Sequence, residues 1–395
     1  MVRALRSFWQ RVSEGIQVQE LWAQFRTEAR ASYELYSKEV DWNRAEGESR
    51  GKRSRRVAKA LFWAMMMKLS PGRRILLLIA LILLVFPGFD IRYRDSEFSM
   101  PNLALFGGIA LVILLALELA DRVTMKRDLQ IAREIQGWLM PSAPPSIPGI
   151  DIAFATRPAN TVAGDYYDAF LRCMVPHPER DLPVAQDKRL LIVVGDVAGK
   201  SVPAALLMAT LQASLRTLAT LPLSLPELVN RLNQYVCAQN AGGRRFITAF
   251  LAELEISTQC LTFVNAGHNW PVLRRASGSI ERLEKGGLPL GISAAAHYEC
   301  CNTTLTPGDF LLIFTDGVVE AENEREEEYG EARMLGIVHG LLGRTASQAL
   351  GWLMASVDAF VGSARQHDDI TCLVLRTFAP SEPVLLRRFR QSQIS

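Results

Sequence analysis

A chain of 395 residues, 49% of them hydrophobic and 22% charged, carries enough apolar side chain for more than one folded domain and is not a disordered chain. Its 44 basic and 41 acidic residues leave a formal charge of +3, too even a balance for binding nucleic acid along its length, so no nucleic-acid partner is expected and any electrostatic attraction is local. Six cysteines, Cys173, Cys237, Cys260, Cys300, Cys301 and Cys372, form no C-x-x-C pair; they read as reduced, cytosolic thiols and argue against a structural zinc site.

Residues 1–70 read as a cytoplasmic helical and basic region. Leu5, Phe8, Trp9, Val12 and Ile16 fall at helical spacing, as in an amphipathic helix, and "MVRALRSFWQRVSEG" lacks the apolar core of a cleavable signal. The basic run "GESRGKRSRRVAK" reads as a juxtamembrane linker facing anionic headgroups. Residues 71–120 hold two apolar runs, "ILLLIALILLVFPGF" and "LALFGGIALVILLALELA". Each is near or below the roughly 20 residues that cross a bilayer, so either alone also fits a buried core helix. Side by side, with "KLSPGRR" before the first and "DRVTMKR" after the second, they predict a two-helix membrane hairpin, with spans at about 75–91 and 101–120. Basic outer flanks put both termini in the cytoplasm and the chain in the cell inner (plasma) membrane. Residues 121–141 continue without a breaker as a linker helix ending at Pro141. Met125, Leu129, Ala132 and Leu139 approximate a heptad seam that Gln136 interrupts.

From 142 to 378 the pattern turns mixed. Short β-rich runs such as "DIAFATR", "RLLIVVGDV", "ITAFLAELE", "DFLLIFTDG" and "ITCLVLR" are interspersed with helical stretches such as "VPAALLMATLQASLRTLA" and "LPELVNRLNQYVCAQ". Strands partly in succession and partly separated by helix pairs argue for one layered α+β domain. A basic tail, 379–395, follows.

Within this domain, acids stand at the ends of apolar strands. "TVAGDYYDAF" places Asp165 after a glycine, "LLIVVGDVAGKS" delivers Asp196, "FLLIFTDGVVEA" delivers Asp316, and "QHDDITCLVL" sets Asp368 and Asp369 before a strand. Asp and Gly end strands in many proteins, which explains any one of these. Several that converge in one core would repel one another, and a hard divalent cation with oxygen ligands removes that repulsion.

At these residues the sequence resembles the stage II sporulation protein E and RsbU-type serine/threonine phosphatases, a metal-dependent, type 2C-like family. The resemblance runs from about Ala132 to Arg376 through "AREIQGWLMP", "PANTVAGDYYD", "GDVAGKSVPAALLMA", "TAFLAEL", "NAGHNWP", "GLPLGI", "TDGVVEA" and "DDIT". Ala163, Ala198 and Ser201 depart from the usual Gly, Ser and Gly without removing a carboxylate. The resemblance implies a β-sandwich of two antiparallel sheets flanked by helices, and a centre of two Mn²⁺ or Mg²⁺ ions. In that centre Asp196 bridges the ions, the Val197 carbonyl adds a ligand, and Asp165, Asp316 and Asp368 or Asp369 complete the set, with Asp368 favoured over Asp369. It further implies in-line hydrolysis of phosphoserine or phosphothreonine, a phosphorylated anti-anti-sigma factor of the STAS type as substrate, and a homodimer regulated through the linker. A catalytically silent partner-binding relay with the same fold and a hydrolase of small phosphoesters stay open as alternatives.

Other constellations have plainer readings. His268 in "NAGHNWP" fixes a loop more often than it acts as a general acid. "GDVAGKS" lacks the spacing of a phosphate loop, although Lys200 remains a candidate phosphate contact. "EAENEREEE" reads as a solvated loop.

Overall fold

The computed structural model describes residues 66–85, 90–93, 96–99, 103–174, 187–199, 202–239 and 245–379, together with 59, 62 and 63. The expected N-terminal amphipathic helix, the basic run up to Ala58, Lys200 and the tail beyond Ala379 lie outside the described residues. The chain divides into two compact units, Met1–Thr124 and Met125–Ser395.

In the first unit an unbroken Leu/Ile run forms α1, Pro71–Val85, with Pro in the first turn where its missing N–H costs nothing. A two-stranded antiparallel ribbon, β1 (Asp90–Tyr93) with β2 (Ser96–Ser99), precedes α2, which begins at Leu103 and runs to Leu139. Leu77 of α1 and Leu114 of α2 are buried together with Met66. Arg73 pairs with Glu118 at 3.1 Å and with Asp121 at 2.7 Å. Among the described residues α2 is the one helix long and apolar enough to cross a membrane, with a mean hydropathy of 2.5 over a window only 6% buried. α1, expected as the first span, has 15 residues; at 1.5 Å per residue it rises ~22 Å, short of the ~30 Å hydrocarbon core.

The second unit is a four-layer sandwich. One sheet has the order β10-β7-β6-β5-β4, with β11 also on β7; the other has the order β3-β13-β12-β8-β9. In the first, β4 is Tyr166–Met174, β5 Asp187–Val197, β6 Ile247–Glu255, β7 Cys260–Ala266, β10 Gly286–Gly287 and β11 Cys301–Thr304. In the second, β3 is Ile150–Arg157, β8 Val272–Arg274, β9 Ile280–Arg282, β12 Phe310–Phe314 and β13 Ile370–Thr377. The expectation of two antiparallel sheets needs one correction: β10 pairs parallel to β7. A strand of two glycines has no side-chain alternation from which pairing direction can be read.

Period-two alternation sorts the side chains into layers. Leu190, Ile192 and Val194 of β5 face Leu311 and Ile313 of β12 and Leu373 and Leu375 of β13 between the sheets. Leu191 and Val193 turn the other way, onto α3 (Val202–Leu218) and α4 (Leu225–Gln239). Phe310, Leu312 and Phe314 likewise face α6 (Gly330–His339) and α7 (Ala346–Val361); the short α5, Asp316–Val319, follows β12 directly. Both faces of each sheet are therefore covered. Only the strand ends are left to present polar groups to a ligand.

Candidate metal centre

Asp165 immediately precedes β4, Asp196 is the penultimate residue of β5, Asp316 opens α5 directly after β12, and Asp368 and Asp369 immediately precede β13. Antiparallel pairing of β4 with β5, and of β12 with β13, brings these ends together within each sheet. Two glycines permit the close approach. A Cβ on Gly164 would stand 3.3 Å from the Val197 carbonyl oxygen and 3.4 Å from the Ala204 Cβ, so the backbone before Asp165 lies against the turn after Asp196. A Cβ on Gly317 would overlap the Asp369 carbonyl, so the backbone after Asp316 lies against the Asp368–Asp369 pair.

The two sheets meet at Thr315, whose hydroxyl donates to Asp165 Oδ2 at 2.9 Å. The Thr371 N–H donates to that hydroxyl at 3.0 Å, and the Thr371 hydroxyl lies 2.9 Å from that of Thr156. Sequence reasoning missed Thr315 and Thr371. The readable signal is a polar residue inside an apolar strand run, as in "FLLIFTDG" and "ITCLVL".

Electrostatics joins the five acids. Burial first, then repulsion from Asp196 and from Asp369, pushes the Asp165 carboxyl well above the usual carboxylate range. Burial, then Asp316 and Asp368, pushes Asp196 up to about 7. The pair Asp368 and Asp369 divides its work. Asp369, 8% exposed, accepts from the Ala159 N–H at 2.7 Å through Oδ1 and from the Gly164 N–H at 2.6 Å through Oδ2, pinning the loop that carries Asp165. Asp368 is half-buried, and its Oδ1 accepts from the Asp369 N–H at 2.9 Å.

His268 is buried, its backbone N–H donating to Asn265 Oδ1 at 2.7 Å and its Nδ1 lying 3.2 Å from Thr248 Oγ1. Burial lowers its pKa to about 4. It is neutral at neutral pH and ties the loop after β7 to β6. Gln136, which looks like a flaw in the α2 seam, is buried: its side chain donates to the Ala163 carbonyl at 2.7 Å and accepts from the Ala163 N–H at 2.9 Å. The seam residues Leu129, Ala132 and Leu139 are half-buried, and Met125 is exposed.

Five carboxylates and a main-chain carbonyl make an all-oxygen donor set, which suits Mg²⁺ or Mn²⁺ and not a thiophilic ion. No three His, Cys, Asp or Glu side chains among the described residues are drawn together tightly enough to cage an ion unaided. Mg²⁺ usually keeps several waters and takes one or two carboxylates, so an open ring of acids fits it.

Residues 186–378 match the family described as Stage II sporulation protein E (SpoIIE). That match lies wholly within the second compact unit. Two curated relatives are similar to it. Protein IcfG of Synechocystis sp. is 25% identical over 288 residues, 66% of this chain and 43% of that protein. Phosphoserine phosphatase RsbU of Bacillus subtilis is 29% identical over 201 residues, 51% of this chain and 56% of RsbU. The chain thus spans about half the length of the curated relatives it matches. Among solved structures, the SiaA PP2C domain of Pseudomonas aeruginosa is similar in fold, with a TM-score of 0.54 at 20% identity, covering 65% of this chain and 98% of that domain. The second unit accordingly has a PP2C-like fold of two sheets between helices.

Proposed function

We propose that the chain is a membrane-tethered, metal-dependent phosphoserine/phosphothreonine protein phosphatase. The observation that carries this reading is the meeting of Asp165, Asp196, Asp316 and Asp368 from four strand ends, where burial, then mutual repulsion, raises the pKa of Asp165 and Asp196. Similarity to a protein named phosphoserine phosphatase supports the substrate class.

Asp196 would be shared by two ions, with the Val197 carbonyl as an added ligand and Asp165, Asp316 and Asp368 completing the set. Asp369 spends both oxygens on backbone N–H groups, which favours Asp368 as the ligand and Asp369 as the brace of the Asp165 loop. When bound, the ions supply a water acidic enough to lose its proton near neutral pH and positive charge for the phosphoryl oxygens. Thr315 orients Asp165, and His268, being neutral, keeps its loop closed without exchanging protons at neutral pH.

The substrate we assign is a phosphorylated anti-anti-sigma regulator, on the family resemblance of the domain. The phosphatase domain comprises 142–378, the linker helix 121–141, and the spans about 75–91 and 101–120, in the inner membrane with both termini cytoplasmic. Support for the tether is the exposed apolar surface of α2, where Leu105, Val112 and Leu115 are all at least 66% exposed. Ile131, Ile135 and Trp138, exposed at helical spacing on the same helix, support a homodimer through the linker.

Mn²⁺-dependent release of phosphate by the full chain from a phosphoserine protein, set against a small aryl phosphoester, tests the reading. Preference for the phosphoprotein is expected. No release from either leaves the silent relay, and equal or better turnover of the small ester leaves the general phosphoesterase. Reporter fusions after Lys68 and Lys126 should read cytoplasmic and one near Tyr93 external; release of the chain by carbonate would overturn the tether.

A further inference from the structure

The "TVAGDYYDAF" motif holds two aspartates, and the proposed centre uses only Asp165. Asp168 has no exposed surface. Tyr167 and Ala169 of β4 enter the space between the sheets, whereas Tyr166 and Phe170 pack with α3; alternation puts Asp168 and Arg172 on that same outer face. Both Asp168 oxygens accept from Arg216, near the end of α3, at 2.7 Å each, and the Tyr166 hydroxyl donates to Oδ2 at 2.8 Å. The Arg216 guanidinium lies 3.8 Å over the Phe170 ring. Arg172 donates to the carbonyls of Ala219 at 3.1 Å, Leu221 at 2.7 Å and Leu223 at 2.6 Å, just past the end of α3, and pairs with buried Glu253. One face of one strand therefore grips the last turn of α3 and its exit through directional polar contacts.

The other end of α3 reaches the candidate centre. The helix starts shortly after the Val197–Gly199 turn, and its Ala204 Cβ packs on Gly164, directly before Asp165. Apolar packing of Met208, Leu211 and Leu215 sets the face that α3 buries. It is non-directional and fixes position along the axis only loosely. A two-point guanidinium–carboxylate pair fixes it closely.

We infer that Asp168 and Arg216 are positioning residues that lock α3 along its axis, holding the Asp196–Val197 turn in register with Asp165 and thereby setting the affinity of the centre for a divalent cation. The inference rests on the metal reading above and adds the group that keeps the two first-sheet ligands facing one point. It explains why the motif needs its second aspartate beside an aromatic residue.

The test is Mn²⁺ binding to the full chain by calorimetry, with the Mn²⁺-induced rise in Tm as a second readout. Arg216→Ala is expected to weaken Mn²⁺ binding by about ten- to a hundredfold, the cost usual for losing an outer partner of a metal site. The loss should appear in the Mn²⁺ concentration for half-maximal turnover more than in turnover at saturation. Arg216→Lys, which keeps the charge and loses the fork, should recover part of the affinity. A purely structural pair would lower the metal-free Tm and leave the Mn²⁺ Kd alone; a wild-type Kd in folded Arg216→Ala, or in Arg216→Lys if the alanine variant does not fold, overturns the inference. Asp196→Asn separates the two layers. If it loses Mn²⁺ while the Arg216 variants bind normally, only the positioning role falls; if it too binds normally, the metal reading falls and takes this inference with it.

Discussion

Buried acids on the flanks of the sandwich and buried acids at its strand ends are treated in opposite ways. Asp168, Glu253 and Asp309, each no more than 2% exposed, have guanidinium partners in Arg216, Arg172 and Arg275. Asp165, 1% exposed, has a threonine hydroxyl and the repulsion of Asp196 and Asp369, and no cationic side chain pairs with it among the described residues. Removing a carboxylate from water is costly unless opposite charge or hydrogen bonds replace the lost hydration. The flanks carry that charge within the chain. At the strand ends no such charge pairs with Asp165 among the described residues, and the proposed metal centre would bring it from outside.

The sharpest way to break this contrast is to neutralise one acid in each region. At the strand ends, Asp196→Asn should cut Mn²⁺-dependent phosphate release by more than the roughly hundredfold cost of losing an outer partner. Its metal-free Tm should hold or rise, because a repulsive charge is gone. On the flank, Arg172→Ala leaves buried Glu253 only its 3.5 Å pair with half-buried Arg189 and should destabilise the domain in denaturant titrations, by up to the roughly 3–5 kcal/mol of breaking a buried pair from one side. If both variants lost stability alike, the two regions would not differ as described.

Acidity gives a smaller, graded test. Burial, then repulsion from Asp316 and Asp368, raises the folded-state pKa of Asp196 to about 7, from the ordinary carboxylate value of 3.8. An acid with a raised folded pKa holds its proton more tightly when folded. Its contribution to metal-free stability is therefore fully present below about pH 4 and is lost as pH rises through about 7. Thermal melts without metal should show Tm falling over that window from this group, with the slope reduced in Asp196→Asn; saturating Mn²⁺ should flatten the alkaline side, because bound ions compete with protons.

The least effect is expected at His268. With its pKa lowered to about 4, it is neutral at working pH, so His268→Gln should cost about 1 kcal/mol of stability, a lost hydrogen bond. The pH profile of turnover between about 6 and 8 should keep its shape, as a general acid's replacement would not allow.

Much of this was legible in the sequence because strand cores are apolar runs and the acids that end them are local events: "IVVGD" and "IFTDG" can be read without knowing their neighbours. The partners were not. Asp168 finds Arg216 across 47 intervening residues of chain, and nothing in either segment marks the other. Gln136 reads as a defect in a heptad because its reason, the Ala163 backbone, belongs to the next element. The family landmarks tie Asp368 and Asp369 to one motif, but only the backbone contacts of Asp369 separate their tasks.

The most direct test of the central claim is the stoichiometry of Mn²⁺ binding to the full chain, measured by calorimetry with and without Asp196→Asn. With Asp196 bridging, the wild-type chain should bind two ions and the variant should lose measurable affinity for both. Two ions bound by Asp196→Asn with wild-type affinity would contradict the account.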